Sequence, residues 1–216
     1  MPYPDKFYPV VHNVAWVTRL ALLGAGTIQL RAKDLNDSEA LQIVTDALEA
    51  IKGTDAKLVV NDYWRAAIVA GAKHLHLGQE DLADADVPTI QAKGARLGIS
   101  THSEEELAIA LAAAPSYVAL GPIYETRLKV MKWAPQGLDR VARWKKHIGP
   151  LPLVAIGGIT PERADGVLEA GADSLAVITD FFTHADPQAR VREWLAWAER
   201  CRACKGGSAS GTCGGL

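Results

Sequence analysis

Short apolar runs rich in β-branched and aromatic residues alternate along this chain with longer stretches of helical periodicity. The runs predict eight strands: Tyr8 to Val11, Thr27 to Arg31, Leu58 to Asn61, His74 to Leu77, Arg96 to Ser100, Tyr117 to Gly121, Leu153 to Gly157 and Ser174 to Ile178. Helical patterns fall between them, among them Ser38 to Ile51 with Ser38 as N-cap, Glu104 to Ala114 and Leu138 to His147. A further one, Pro161 to Ala170, has Thr160 as N-cap and Gly171 just past its end. A repeated Ala-Gly-Ala (Ala70 to Ala72, Ala170 to Ala172) marks the turn from a helix into the next strand.

Strand–helix alternation at roughly 25 residues per unit implies parallel pairing through right-handed crossovers, and eight such units close naturally into an α/β (β/α)8 TIM barrel. A doubly wound open sheet is the alternative, but no Gly-rich dinucleotide fingerprint follows Val11. The expected organisation is a single barrel domain over residues 1–200 and a flexible Gly/Ser/Cys-containing tail over 201–216.

In such a barrel the active site stands at the C-terminal ends of the strands. Polar residues gather there. Gln29, Arg31 and Lys33 share one face at the end of the second strand, two cations and an amide suited to a phosphate or diphosphate. Asn61 and Asp62 end the third strand. His76 lies on the fourth with Gln79, Glu80 and Asp81 after it, and Ser100 and His102 close the fifth. Taken singly, each has an ordinary structural use as a cap, turn or core hydrogen bonder. Asp62 and Asp81 on neighbouring loops are hard oxygen ligands that fit Mg2+ shared with a diphosphate. Gly157 and Gly158 open the loop after the seventh strand, beside Ile178 and Thr179, and predict a second phosphate site. The sixth connection, Glu125 to Gly137, is long enough to act as a lid that carries Lys129 over the mouth.

The bulk properties narrow the partners. Twenty-three Lys and Arg against 25 Asp and Glu give a net charge of −2, which supplies no general field for nucleic acid or anionic membrane. Residues 1–11 show neither a basic start with an apolar core nor a membrane-length run, so a cytoplasmic protein acting on small phosphorylated molecules is expected. All three cysteines, Cys201, Cys204 and Cys213, fall in the tail, which removes cysteine chemistry from the body. Trp194 and Trp197 on the last helix are expected to pack in the core; the alternative, should they be exposed, is a subunit contact and a homo-oligomer.

The strings QLRAKD, VNDYWRAAI, HLHLGQEDL, GISTH, ALGPIYETRLKVMKWAPQG, VAIGGIT and AGADSLAVIT occur in this order, and with them the chain resembles the thiamine phosphate synthase family from about Tyr8 to about Trp197. The resemblance implies a (β/α)8 transferase of thiamine biosynthesis. Such an enzyme couples 4-amino-2-methyl-5-pyrimidinylmethyl diphosphate to a (carboxy)thiazole phosphate, with Mg2+ and release of pyrophosphate. It further implies that Gln29, Arg31, Lys33, Asn61, His76, Ser100 and Lys129 bind the pyrimidine diphosphate, with Arg31, Lys33 and Lys129 stabilising the departing charge. Asp62 and Asp81 would hold the magnesium, and Thr126, Gly158, Ile178 and Thr179 the thiazole phosphate.

One departure stands out. The family's usual PTxTK in the sixth loop is Glu125, Thr126, Arg127, Leu128, Lys129 here, which deletes a Pro and a Thr hydroxyl and adds a carboxylate. Two other readings use the same fold: a thiazole phosphate tautomerase, and a non-catalytic barrel that binds phosphate ligands. The cation and carboxylate set argues for diphosphate chemistry over the tautomerase; in the binding barrel the altered sixth loop would record lost turnover.

Overall fold

The computed structural model describes residues 3–126 and 133–206, with side chains through Ala203. Eight strands alternate with ten helices among the described residues. The first half comprises β1 (Phe7–Val11), α1 (Val14–Leu22), β2 (Thr27–Leu30), α2 (Asp37–Ala50), β3 (Lys57–Asn61), α3 (Trp64–Ala70), β4 (His74–Leu77), α4 (Gln79–Asp84) and α5 (Val87–Ala92). The second comprises β5 (Arg96–Thr101), α6 (Glu104–Ala112), β6 (Tyr117–Leu120), α7 (Gly137–Ile148), β7 (Leu153–Ile156), α8 (Pro161–Glu169), β8 (Ser174–Val177), α9 (Thr179–Phe182) and α10 (Pro187–Gly206). The strands pair in parallel in chain order, and β8 returns to β1 to close the barrel. The expected (β/α)8 architecture is therefore the one found.

Strand alternation divides the core into two layers. Phe7 and Val11 point outward into the large cluster between strands and helices, where the Phe7 ring stacks on Trp194 at 5.3 Å. Tyr8 and Val10 point inward, joining Val59, Tyr117, Ala119, Val154 and Ala176 in a second cluster that fills the barrel. Gly98 makes that filling fit: it is the register partner of Tyr117, and a Cβ there would overlap the tip of the phenol ring.

Several element ends shift from the sequence reading. Asn36, not Ser38, caps α2, because its side chain accepts from the Glu39 amide while Glu39 reaches back to the Asn36 N–H in a reciprocal capping box. The second strand ends at Leu30, although the Arg31 amide still bonds Val11 O at 2.8 Å. Ile178 leaves β8 and becomes the residue before α9. Gly71 and Gly171 take the left-handed φ values of +79° and +112° that the Ala-Gly-Ala turns require.

The C-terminal region differs from the sequence reading at the start of the expected tail. The boundary between residues 200 and 201 falls inside α10, which continues to Gly206, and Arg202 pairs with the buried Asp5 at 2.9 Å. Residues 207–216, including Cys213, lie outside the described residues. Trp194 and Trp197 are 0% and 2% exposed, in agreement with the core packing expected of them. No described helix is long and apolar enough to cross a membrane.

Candidate active site

A cavity of about 1020 Å³ opens at the C-terminal rim of the barrel. Its lining includes Gln29, Arg31, Asn61, Asp62, His76, Asp81 and Ser100 on one side and Thr126, Gly158, Ile178 and Thr179 on the other. Of the residues expected there, Lys33 is exposed and does not line the cavity, because the chain has left the strand by then and alternation no longer fixes its face. Lys129 and Leu128 lie outside the described residues.

The barrel interior dictates the polar floor. Gln29, Asn61 and His76 are inward-facing and almost completely buried, at 5%, 4% and 6% exposure. Gln29 Nε2 donates to the Tyr8 hydroxyl at 2.8 Å. His76 lies between the Tyr117 hydroxyl, 2.9 Å from Nδ1, and Ser100 Oγ, 2.7 Å from Nε2. Burial, with the Arg31 charge assisting, lowers the His76 pKa to about 4, so the ring is neutral at pH 7. Asn61 Nδ2 is buried with no hydrogen-bond partner, a donor left for something that enters the cavity.

Asp62 adopts a left-handed φ of +63°, a strained setting for a non-glycine residue that turns the chain from β3 into α3. Its carboxyl faces that of Asp81 from the first turn of α4. Burial first, and then the neighbouring Asp81 charge, raise the Asp62 pKa to about 6; the Arg31 charge and the Gly78 N–H act the other way. Two carboxylates forced together beside an arginine suit a hard divalent cation that relieves their repulsion and takes its other ligands from substrate and water. Groups of three or more metal-binding side chains do not occur among the described residues, which leaves the substrate to complete any such shell.

On the opposite side, Gly157 and Gly158 take φ values of +103° and +66°. A Cβ at Gly158 would stand 2.6 Å from Glu125 O and 2.8 Å from Tyr124 Cβ, so only glycine lets the β7–α8 loop pass this close to the β6 loop. Arg163 Nη1 donates to Gly158 O at 2.9 Å and its guanidinium lies 4.7 Å over the Tyr124 ring, which fixes the loop from outside. Thr179 begins α9, and Asp180 beside it is gripped by Arg190.

Sequence reasoning missed Tyr8, Tyr117, Arg163, Arg190 and Trp133. Tyr8 and Tyr117 read as ordinary strand aromatics, and only barrel closure brings their hydroxyls within 2.8 Å. Trp133 stacks on His102 with ring centroids 5.7 Å apart at the edge of the sixth connection.

A closed parallel barrel with its polar cavity at the C-terminal rim defines the class: a (β/α)8 barrel enzyme. The chain belongs to the thiamine monophosphate synthase family, whose model matches residues 7–181. It is 53% identical over 192 residues to the thiamine-phosphate synthase of Rhizobium etli, covering 89% of this chain and 94% of that one. With the Citrobacter koseri protein of the same name it shares 46% identity over 198 residues, 92% of this chain and 94% of the relative. Among solved structures, the thiamine phosphate pyrophosphorylase from Pyrococcus furiosus superposes with a TM-score of 0.75 at 27% identity, covering 90% of this chain and 96% of that one.

Proposed function

We propose that this chain is a thiamine-phosphate synthase that joins 4-amino-2-methyl-5-pyrimidinylmethyl diphosphate to a thiazole phosphate and releases pyrophosphate. The observation that carries the reading is the convergence of Arg31, the unpartnered Asn61 amide and the Asp62–Asp81 pair on one cavity. The name shared by the Rhizobium and Citrobacter relatives supports it.

In this reading the pyrimidine ring lies on the floor made by Gln29, His76 and Tyr8, with its diphosphate toward Arg31, Asn61, Ser100 and Lys129, and Lys33 near the rim. Asp62 and Asp81 are the residues that would hold Mg2+, which when bound neutralises charge on the leaving diphosphate. The C–O bond to diphosphate breaks as the pyrimidine amino group donates electron density, and the thiazole nitrogen lone pair forms the new C–N bond. Arg31 and Lys129 stabilise the departing charge, with Lys33 reaching in from its exposed place outside the lining; the cavity holds the two substrates in line and requires no side-chain nucleophile. The thiazole phosphate sits against Gly158, Thr126, Ile178 and Thr179, under the backbone amides that open the β7–α8 loop.

The test uses the purified full chain with both substrates and Mg2+. Release of pyrophosphate with formation of thiamine phosphate is expected. Thermal stabilisation by the substrates without release assigns a binding barrel instead, and isomerised thiazole without coupling assigns a tautomerase.

A further inference from the structure

Five side chains on five strands form one buried hydrogen-bonded series across the barrel: Gln29, Tyr8, Tyr117, His76 and Ser100. Its links measure 2.8, 2.8, 2.9 and 2.7 Å. The two ends, Gln29 and Ser100, line the cavity; Tyr117 is 0% exposed and does not. Gly98, without a side chain, leaves the space in which the Tyr117 hydroxyl meets both neighbours.

Proton counting gives the series a direction. Each phenol carries one proton. Gln29 Nε2 donates to Tyr8, so the Tyr8 proton goes to Tyr117, and the Tyr117 proton to His76 Nδ1. His76 is then protonated on Nε2 and donates to Ser100 Oγ, whose own proton is left for the cavity. Reversing only the inner links would make Tyr8 accept twice and strand its proton in a fully buried place. A complete reversal requires the Gln29 amide to turn over, and then both ends change together: Gln29 presents N–H and Ser100 presents a lone pair.

We propose that Tyr117 is a positioning residue whose hydroxyl couples Gln29 to Ser100, so that the cavity offers an acceptor at Gln29 and a donor at Ser100 at the same time. A ligand with an amine donor on its heterocycle and phosphate oxygens at its other end selects this polarity, and a heterocycle that presents only an acceptor opposes it. The proposal rests on the reading of the cavity as a site for an aminopyrimidine diphosphate.

The experiment combines 15N NMR of the histidine rings with binding of inorganic pyrophosphate in the presence of Mg2+. In the unaltered chain with pyrophosphate bound, His76 is expected as the Nε2–H tautomer. In Tyr117→Phe both tautomers become populated, and pyrophosphate affinity falls about 10-fold. Ser100→Ala gives a similar loss, and the double variant adds little to it, because both changes remove the same donor. An Nδ1–H tautomer in the unaltered chain, a tautomer that Tyr117→Phe does not alter, or fully additive losses would overturn the coupling. If Tyr117→Phe fails to fold, Tyr8→Phe cuts the series one link earlier, and the tautomer of the unaltered chain still decides. No pyrophosphate binding by the unaltered chain sinks the diphosphate reading, while the tautomer judges the relay separately.

Discussion

Arg190 on α10 grips Asp180 on α9 with two parallel hydrogen bonds, Nε to Oδ2 at 2.8 Å and Nη2 to Oδ1 at 3.0 Å. Both side chains are largely buried, at 12% and 10% exposure, and the same guanidinium reaches Glu162 at 3.0 Å. Asp180 and Glu162 line the cavity close to Thr179, so Arg190 neutralises two carboxylates beside the proposed thiazole phosphate site. Its hydrogen bonds push the Glu162 pKa down to about 2.

Arg190→Ala leaves those charges to face the phosphate. KM for the thiazole phosphate should rise about 10-fold, ~1.4 kcal/mol, while pyrophosphate affinity changes little. Loss of the buried pair should also lower stability by ~3 kcal/mol. Steady-state kinetics with each substrate varied, and urea melts, measure both; equal effects on the two substrates would refute a local role.

Asp62→Asn separates function from stability. The Asp62 pKa is raised, from 3.8 to about 6, so the fold favours its protonated form. Its contribution to stability is present below pH 4 and is lost as pH rises through about 6. The neutral amide avoids that loss and tolerates the left-handed backbone. In chelator, Asp62→Asn should therefore be more stable than the parent by ~2–3 kcal/mol at pH 7.5 and equal to it at pH 4, yet lose Mg2+-dependent turnover about 100-fold. Lower stability at pH 7.5 would mean that the Asp62–Asp81 contact is favourable as it stands.

Arg31→Ala and Lys129→Ala should each cut turnover by about 10^2 or more, a few kcal/mol of transition-state stabilisation. Single-turnover measurement of pyrophosphate release checks this. Near-normal rates in both would place the diphosphate elsewhere.

Truncation after Lys205 should leave folding and activity intact. Truncation after Arg200 removes Arg202 and strands Asp5, whose side chain is 7% exposed and whose pairing ties the end of α10 to the start of β1. A loss of ~2 kcal/mol is expected, a drop in Tm of about 4–8 °C; equal melting of the two truncations would show that the pair contributes nothing.

Much of this architecture was legible in the sequence because it depends on local periodicity. Apolar runs of four or five residues became the eight strands within a residue or so at each end, and His74 to Leu77 matched at both ends. The missed cap of α2 was also local, since Asn36 and Glu39 carry the capping-box spacing that Ser38 does not. The cavity followed from strand order, because parallel β/α units place every strand's C-terminal end at one rim. Lys33 stands outside the lining because strand alternation ends with the strand at Leu30.

By itself, then, the sequence determined the elements, their order and the polar residues at the strand ends, all set by periodicity and connection rules that act over a few residues. Tertiary structure alone decided which inward hydroxyls, imidazoles and carboxylates meet. Tyr8 and Tyr117 are 109 positions apart, and Arg202 and Asp5 are 197 apart. Such pairs are fixed by closure of β8 on β1, by the register of neighbouring strands and by the space left at Gly98. The burial that shifts Asp62 and His76 arises only when those layers pack and exclude water.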